Sequence, residues 1–240
     1  MVTMFDVPCE MDAFCNDIVF LEEIRYILMN FPITEFWETG SYIGCSTDFI
    51  KRMFPQLLVY SCDASADYIV QAQKRNSSVM YKVSKSTDFL HERISKFTTP
   101  PFVYLDAHGH GHDFPLQEEL SIIGNSEKSF FLCVHDCKIP GKLHSEFQFD
   151  SYGGMAITTG LVNYSLSKTN CCYIIYAPNT TKYNETNIPT GAKYFGKVGR
   201  CYVLINPTMG PIITMRNELF VPLISYKGDK FEGDWDGSLD

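Results

Sequence analysis

Long apolar runs are missing from this sequence. Nowhere do the roughly 18 consecutive apolar residues of a membrane-spanning helix occur, which excludes a helical membrane span. Positive charge is scarce as well. The chain carries 20 Lys and Arg against 28 Asp and Glu, a net charge of −8, and so acidic a balance disfavours a nucleic-acid backbone or an anionic membrane as partner and favours a small ligand. No Lys or Arg precedes Arg25, while Asp6, Glu10 and Asp12 interrupt the start. Neither a basic signal-peptide segment nor a transit peptide is therefore expected, and the expected location is the cytoplasm. The nine cysteines form no C-x-x-C pair, and Cys45, Cys62, Cys133 and Cys201 fall in predicted core or turn segments. That is the pattern of buried thiols in a reducing compartment. No internal repeat and no linker divides the chain, whose 240 residues, 45% of them hydrophobic, suffice for one compact core.

What is present is an alternation of short β-rich runs with helical stretches. Over residues 11–28 the apolar positions Met11, Phe14, Ile18, Leu21, Ile24 and Leu28 recur every three or four residues, one face of an amphipathic helix. Strands are predicted near 35–38, 57–62, 79–83, 102–106 and 130–135, and helices near 47–54, 67–75, 87–96 and 116–123. Five strands with intervening helices imply a parallel, doubly wound sheet. A helix is predicted over 155–166, followed by strands at 172–176 and 201–205 with no helical period between them, so this last pair is expected to run antiparallel. The expected fold is a single doubly wound, Rossmann-like α/β domain over 34–206 with a seven-stranded, mostly parallel sheet ending in an antiparallel pair. An N-terminal helix in 1–33 is expected to pack on it, and 207–240 forms a C-terminal extension whose end frays.

Candidate ligand-binding residues gather at the ends of the predicted strands. The first strand runs into Glu38-Thr39-Gly40-Ser41-Tyr42-Ile43-Gly44-Cys45-Ser46 and opens a helix, a place where backbone N–H groups approach a ligand. This is not the dinucleotide G-x-G-x-x-G, and Glu38 beside it suits a cationic ligand group better than a pyrophosphate. The glycines also read simply as a tight turn. The second strand ends in Asp63, placed to accept ribose hydroxyls or to cap the next helix. The fourth ends in Asp106, followed by His108-Gly109-His110-Gly111-His112-Asp113, and the fifth in His135-Asp136. Asp106, His135 and Asp136 should meet at one sheet edge, within reach of a divalent cation. The His-Gly run itself also reads as an exposed loop with adventitious metal affinity.

With these residues in place, the chain resembles the class I S-adenosylmethionine-dependent methyltransferases, nearest to the catechol O-methyltransferase-like, metal-dependent O-methyltransferases. Glu38, Gly40, Tyr42, Gly44 and Ser46 match that family's first motif, E-L-G-x-Y-x-G-Y-S. Asp63 falls at its acidic ribose position, Ser86 at its adenine edge, and 134–141 resembles its A-D-N-x-x-x-P-G segment. The resemblance implies S-adenosylmethionine as cofactor, bound by Glu38, Gly40, Ser41, Tyr42, Gly44, Ser46, Asp63, Ser86 and Asp106. It also implies Mg²⁺ or a similar divalent cation on Asp106, His135 and Asp136, and methyl transfer to a hydroxyl of a small molecule or sugar. Two positions depart from the pattern: His135 replaces a metal-binding Asp, and Gly109 stands where the family carries its general-base Lys. His108 or His110 is then the expected base, with Asp106 as a further catalytic residue, because imidazole titrates near ~6.5. The segment 150–156 and the helix after it are expected to shape the acceptor pocket. Two other readings compete. One is a non-catalytic methyltransferase-like binding domain, which the altered base and metal positions suggest. The other is a metallohydrolase, suggested by the likeness of the His-Gly run to H-x-H-x-D-H.

Overall fold

The structure is a computed structural model that describes residues 13–107, 114–152, 154–182, 197–207, 218–227 and 230–232. Strands β1 (Glu35–Thr39), β2 (Leu58–Asp63), β3 (Met80–Val83), β4 (Phe102–Leu105) and β5 (Phe130–His135) alternate with helices α1 (Ile18–Asn30), α2 (Cys45–Met53), α3 (Ala66–Arg75), α4 (Ser86–Ile94) and α5 (Leu116–Gly124). Their spatial order is β3-β2-β1-β4-β5, all parallel. The chain thus winds outward from β1 in one direction and resumes at β4 in the other, and the crevice between β1 and β4 is the switch point where such sheets bind ligands. A two-residue hairpin, β6 (Ser151–Tyr152) with β7 (Met155–Ala156), precedes α6 (Thr159–Ser167).

The predicted antiparallel pair is present: β9 (Arg200–Ile205) inserts antiparallel between β5 and β8 (Tyr173–Pro178). The sheet does not stop there. Two more strands, β10 (Phe220–Lys227) and β11 (Lys230–Glu232), add to β8, so the sheet has nine strands where seven were expected. Part of 207–240 therefore belongs to the sheet. Pro222 hides this from the sequence, since a proline cannot donate in a ladder and the register shifts between Pro222 and Ile224.

Helix starts also differ from the periodic reading. Helix α1 begins at Ile18, because Asp17 caps it by accepting from Phe20 N at 3.1 Å, and the preceding turn holds Phe14 and Cys15 at positive φ. Similarly α6 begins at Thr159, capped by Thr158, while Met155 and Ala156 are extended.

Side-chain alternation along the strands builds a core on each face of the sheet. Phe36, Phe102 and Tyr104 pack with Phe20, Ile24, Phe49 and Ile50 of α1 and α2. Trp37, Val103 and Leu105 pack with Leu90, Leu120 and Val162 of α4, α5 and α6. A buried ion cluster ties α1 to the sheet: Arg200 donates to Glu23 (2.7 Å) and Asp17 (3.2 Å), and the Tyr202 hydroxyl donates to Glu23 (2.6 Å). None of the described helices is long and apolar enough to cross a membrane.

Candidate functional site

A cavity of about 960 Å³ opens at the C-terminal ends of β1, β2 and β4. Gly40, Tyr42, Asp63, Ser86 and Asp106 line it, five of the nine residues expected to hold a cofactor. Glu38, Ser41, Gly44 and Ser46 are not among its lining.

Gly40 is at φ +81°, and a Cβ on it would come within 2.3 Å of the Asp106 carbonyl oxygen. Only glycine lets the chain turn here while β4 ends against it. Its N–H and that of Ser41 both donate to the Cys62 carbonyl at 2.9 Å, which pins the turn to the end of β2. Gly44, at φ +77°, meets Ala72 of α3 and the Tyr81 hydroxyl where a Cβ would stand. These glycines are thus required by close approach as well as by the turn.

Asp63 performs two local tasks at once. Its Oδ2 accepts from Tyr42 N at 2.9 Å and its Oδ1 from Ser65 N at 2.8 Å, fixing the turn above β1 and leading into α3. It is not the helix cap; Ser65 is. A carboxylate has about four lone-pair sites, so beyond these two donors it can accept others. The Tyr42 and Tyr68 rings meet edge to face, 4.7 Å apart, and both line the cavity.

Behind the turn, Glu38 is fully buried. The Ser61 hydroxyl donates to its Oε2 at 2.8 Å. Burial pushes its pKa up to about 8 against the pull of the Ser61 and Ser46 hydroxyls, and the Asp106 and Asp63 charges push the same way.

At the other end of the cavity, Asp106, His135 and Asp136 come together as expected, with potential ligand atoms within 4.8 Å of one another. His135 Nδ1 lies 2.8 Å from Asp106 Oδ1 and 3.2 Å from Asp136 Oδ2. Burial works against a charged imidazole there, but the two carboxylates outweigh it and hold the His135 pKa well above its ordinary value. The β6–β7 hairpin hangs beside this cluster: Asp150 N donates to the Asp136 carbonyl (3.1 Å), and the Tyr152 hydroxyl donates to the Asp150 carboxylate (3.1 Å). Tyr152 stacks on Phe114, a cavity-lining residue, at 4.9 Å. The candidate bases His108 and His110, and His112 with them, lie outside the described residues.

Several lining residues were not singled out in the sequence, among them Asp88, Phe114 and Glu118. Asp88 carried a legible signal, an acid in the first turn of a helix that follows a strand. Phe114 carried none, since its place depends on where the loop after β4 returns.

No protein-family model and no curated protein matches the chain. Solved structures do. One, reported for the conversion of a disulfide bond into a thioacetal group during echinomycin biosynthesis, superposes with a TM-score of 0.51 at 10% identity, over 77% of this chain and 81% of that one. The O-methyltransferase from Bacillus cereus in complex with SAH gives 0.47 at 13% identity, over 85% and 84%. The plantazolicin methyltransferase BamL, with a substrate analogue and SAH, gives 0.47 at 8%, over 82% and 85%. Likeness at such low identity speaks for the fold alone, and the fold is an α/β Rossmann-like one.

Proposed function

We propose that the protein is an S-adenosylmethionine-dependent methyltransferase that methylates a hydroxyl of a small molecule or sugar. The observation that carries this reading is the cavity at the β1/β4 switch point, where Gly40 and Tyr42 of the first motif, Asp63 and Ser86 converge. Bound there, the cofactor supplies an electrophilic methyl group on a sulfonium. Asp63 offers its remaining lone pairs to ribose hydroxyls, and Ser86 with Asp88 faces the adenine end. The bare backbone at Gly40 admits close approach. Phe114 and Tyr152 form an aromatic wall against water at the acceptor end.

Metal assistance is a different matter. One imidazole nitrogen with two carboxylates is not the all-oxygen set that Mg²⁺ prefers, and the imidazole is already engaged with both carboxylates. The residues do not fit Mg²⁺, and the acceptor proton must leave through the protein. His108 is the first choice of base, two residues past Asp106, and His110 the second. A positioned base contributes about 10²–10⁴ in rate, so His108→Gln should lower turnover at least about 100-fold with cofactor affinity nearly unchanged.

The test is label transfer: hydroxylated small-molecule extracts are incubated with the protein and methyl-labelled cofactor, and products are followed by mass spectrometry. The reading expects an acceptor that gains one labelled methyl. Cofactor bound with no label transferred to any hydroxyl would instead support a binding domain without catalysis.

A further inference from the structure

The trio at the ends of β4 and β5 has the composition of a metal site, yet its imidazole Nδ1 already stands within hydrogen-bond reach of the carboxylates. His135 is 7% exposed, and its ring lies parallel to Phe20 (6.2 Å between centroids, 14° between planes) with its edge toward Tyr104 at 5.4 Å. Phe20 is itself covered by the Arg200 guanidinium, 4.3 Å from its centroid, and Arg200 is fixed by Glu23 and Asp17. The imidazole is therefore clamped between α1 and β4 and cannot swing aside without disturbing that packing. In this fixed position Nδ1 stands at hydrogen-bond distance from Asp106 Oδ1 (2.8 Å) and close to Asp136 Oδ2 (3.2 Å).

A cation held by all three residues would need the lone pair of that same nitrogen, and a ring nitrogen has only one in-plane direction. Nδ1 cannot donate a proton to Asp106 and ligate an ion at once. A cation would also have to displace the contacts of Nδ1 with the two carboxylates. Asp136 is held where it is by its backbone, which turns through φ +51° directly after β5.

We infer that this site operates without a divalent cation, and that His135 is a positioning residue whose ring takes the place an ion would fill, holding Asp106 and Asp136 together at the wall of the cavity. The inference rests on the methyltransferase reading for its bearing on catalysis, yet its test is read on metal and not on turnover. It also defines the acceptor: a hydroxyl that a protein side chain can deprotonate unaided, since no ion is there to acidify it.

The experiment titrates Mn²⁺ into the full chain, free ion being followed by its paramagnetic resonance signal, for wild type, His135→Asp and His135→Ala. Alongside, S-adenosylhomocysteine is titrated calorimetrically with and without chelator. The wild type should leave Mn²⁺ free up to about millimolar concentration, and His135→Asp, which opens the cluster and supplies a third carboxylate, should tighten Mn²⁺ by about tenfold or more. Homocysteine-product affinity of the wild type should be the same with and without chelator. Stoichiometric micromolar Mn²⁺ binding by the wild type, weakened in His135→Ala, would overturn the inference. So would a folded His135→Asp that gains no Mn²⁺ affinity, because His135 would then not be occupying the ion's place. If the wild type binds neither nucleoside nor metal, the methyltransferase reading fails while the metal-free character of the cluster stands.

Discussion

Glu38 shows how one buried carboxylate sets a pH dependence. Its pKa rises from the ordinary 4.5 to about 8 because burial disfavours the charged form. The folded state thus binds a proton that the unfolded chain gives up. The associated stability is intact below about pH 4.5, declines by about 1.4 kcal/mol per unit as pH rises, and is gone above about pH 8. Glu38→Gln imitates the neutral acid and should erase that decline. Urea unfolding across pH should show the variant gaining about 2–4 kcal/mol on the wild type between pH 5 and 8. Parallel curves for the two proteins would contradict the assignment. Gly40 makes a simpler case. A methyl there meets the Asp106 carbonyl oxygen at 2.3 Å with the backbone at positive φ, so Gly40→Ala should cost about 2–4 kcal/mol in urea unfolding and abolish cofactor binding. A variant as stable as wild type would mean that the β1 turn and β4 do not approach so closely.

Among the elements, α1 matters beyond its apolar stripe. Its Asp17 and Glu23 meet Arg200 of β9 where all three are fully buried. Arg200→Met would strand two carboxylates in the core, and a broken buried pair costs about 3–5 kcal/mol. Urea unfolding should show a loss of that order, and adding Glu23→Gln should recover part of it. A loss below about 1 kcal/mol would mean that water reaches the cluster.

Such pairing shows where sequence reading stops. The five parallel strands were legible because short β-rich runs alternate with helical stretches, and the site residues at their tips came with them. Strand β10 was not, since Pro222 interrupts it and its pairing with β8 bridges some 40 residues of sequence. Nor was the true start of α1, where periodicity continued through Phe14 but the Asp17 cap decided the boundary. Phe114 and the imidazole–carboxylate cluster depend on distances between strand tips, which spacing along the chain does not encode. The sequence grouped Asp106, His135 and Asp136 correctly. That Nδ1 of His135 faces both carboxylates was visible only in three dimensions.

At the scale of the whole molecule, a net charge of −8 and the four acids Asp63, Asp88, Asp106 and Glu118 in the cavity wall, opposed there by Lys85, leave a net negative field around the pocket. Such a field favours a cationic nucleoside over a polyphosphate. The central claim, that this cavity takes S-adenosylmethionine, is tested most directly by calorimetric titration of its demethylated product, S-adenosylhomocysteine, into wild type and Asp63→Ala. The account predicts one site per chain in the wild type. It predicts affinity about 10- to 100-fold weaker in the variant, the loss of a charge-assisted hydrogen bond of ~1.5–3 kcal/mol. A wild type that takes up no nucleoside, or an Asp63→Ala protein that binds it as tightly, would contradict the account.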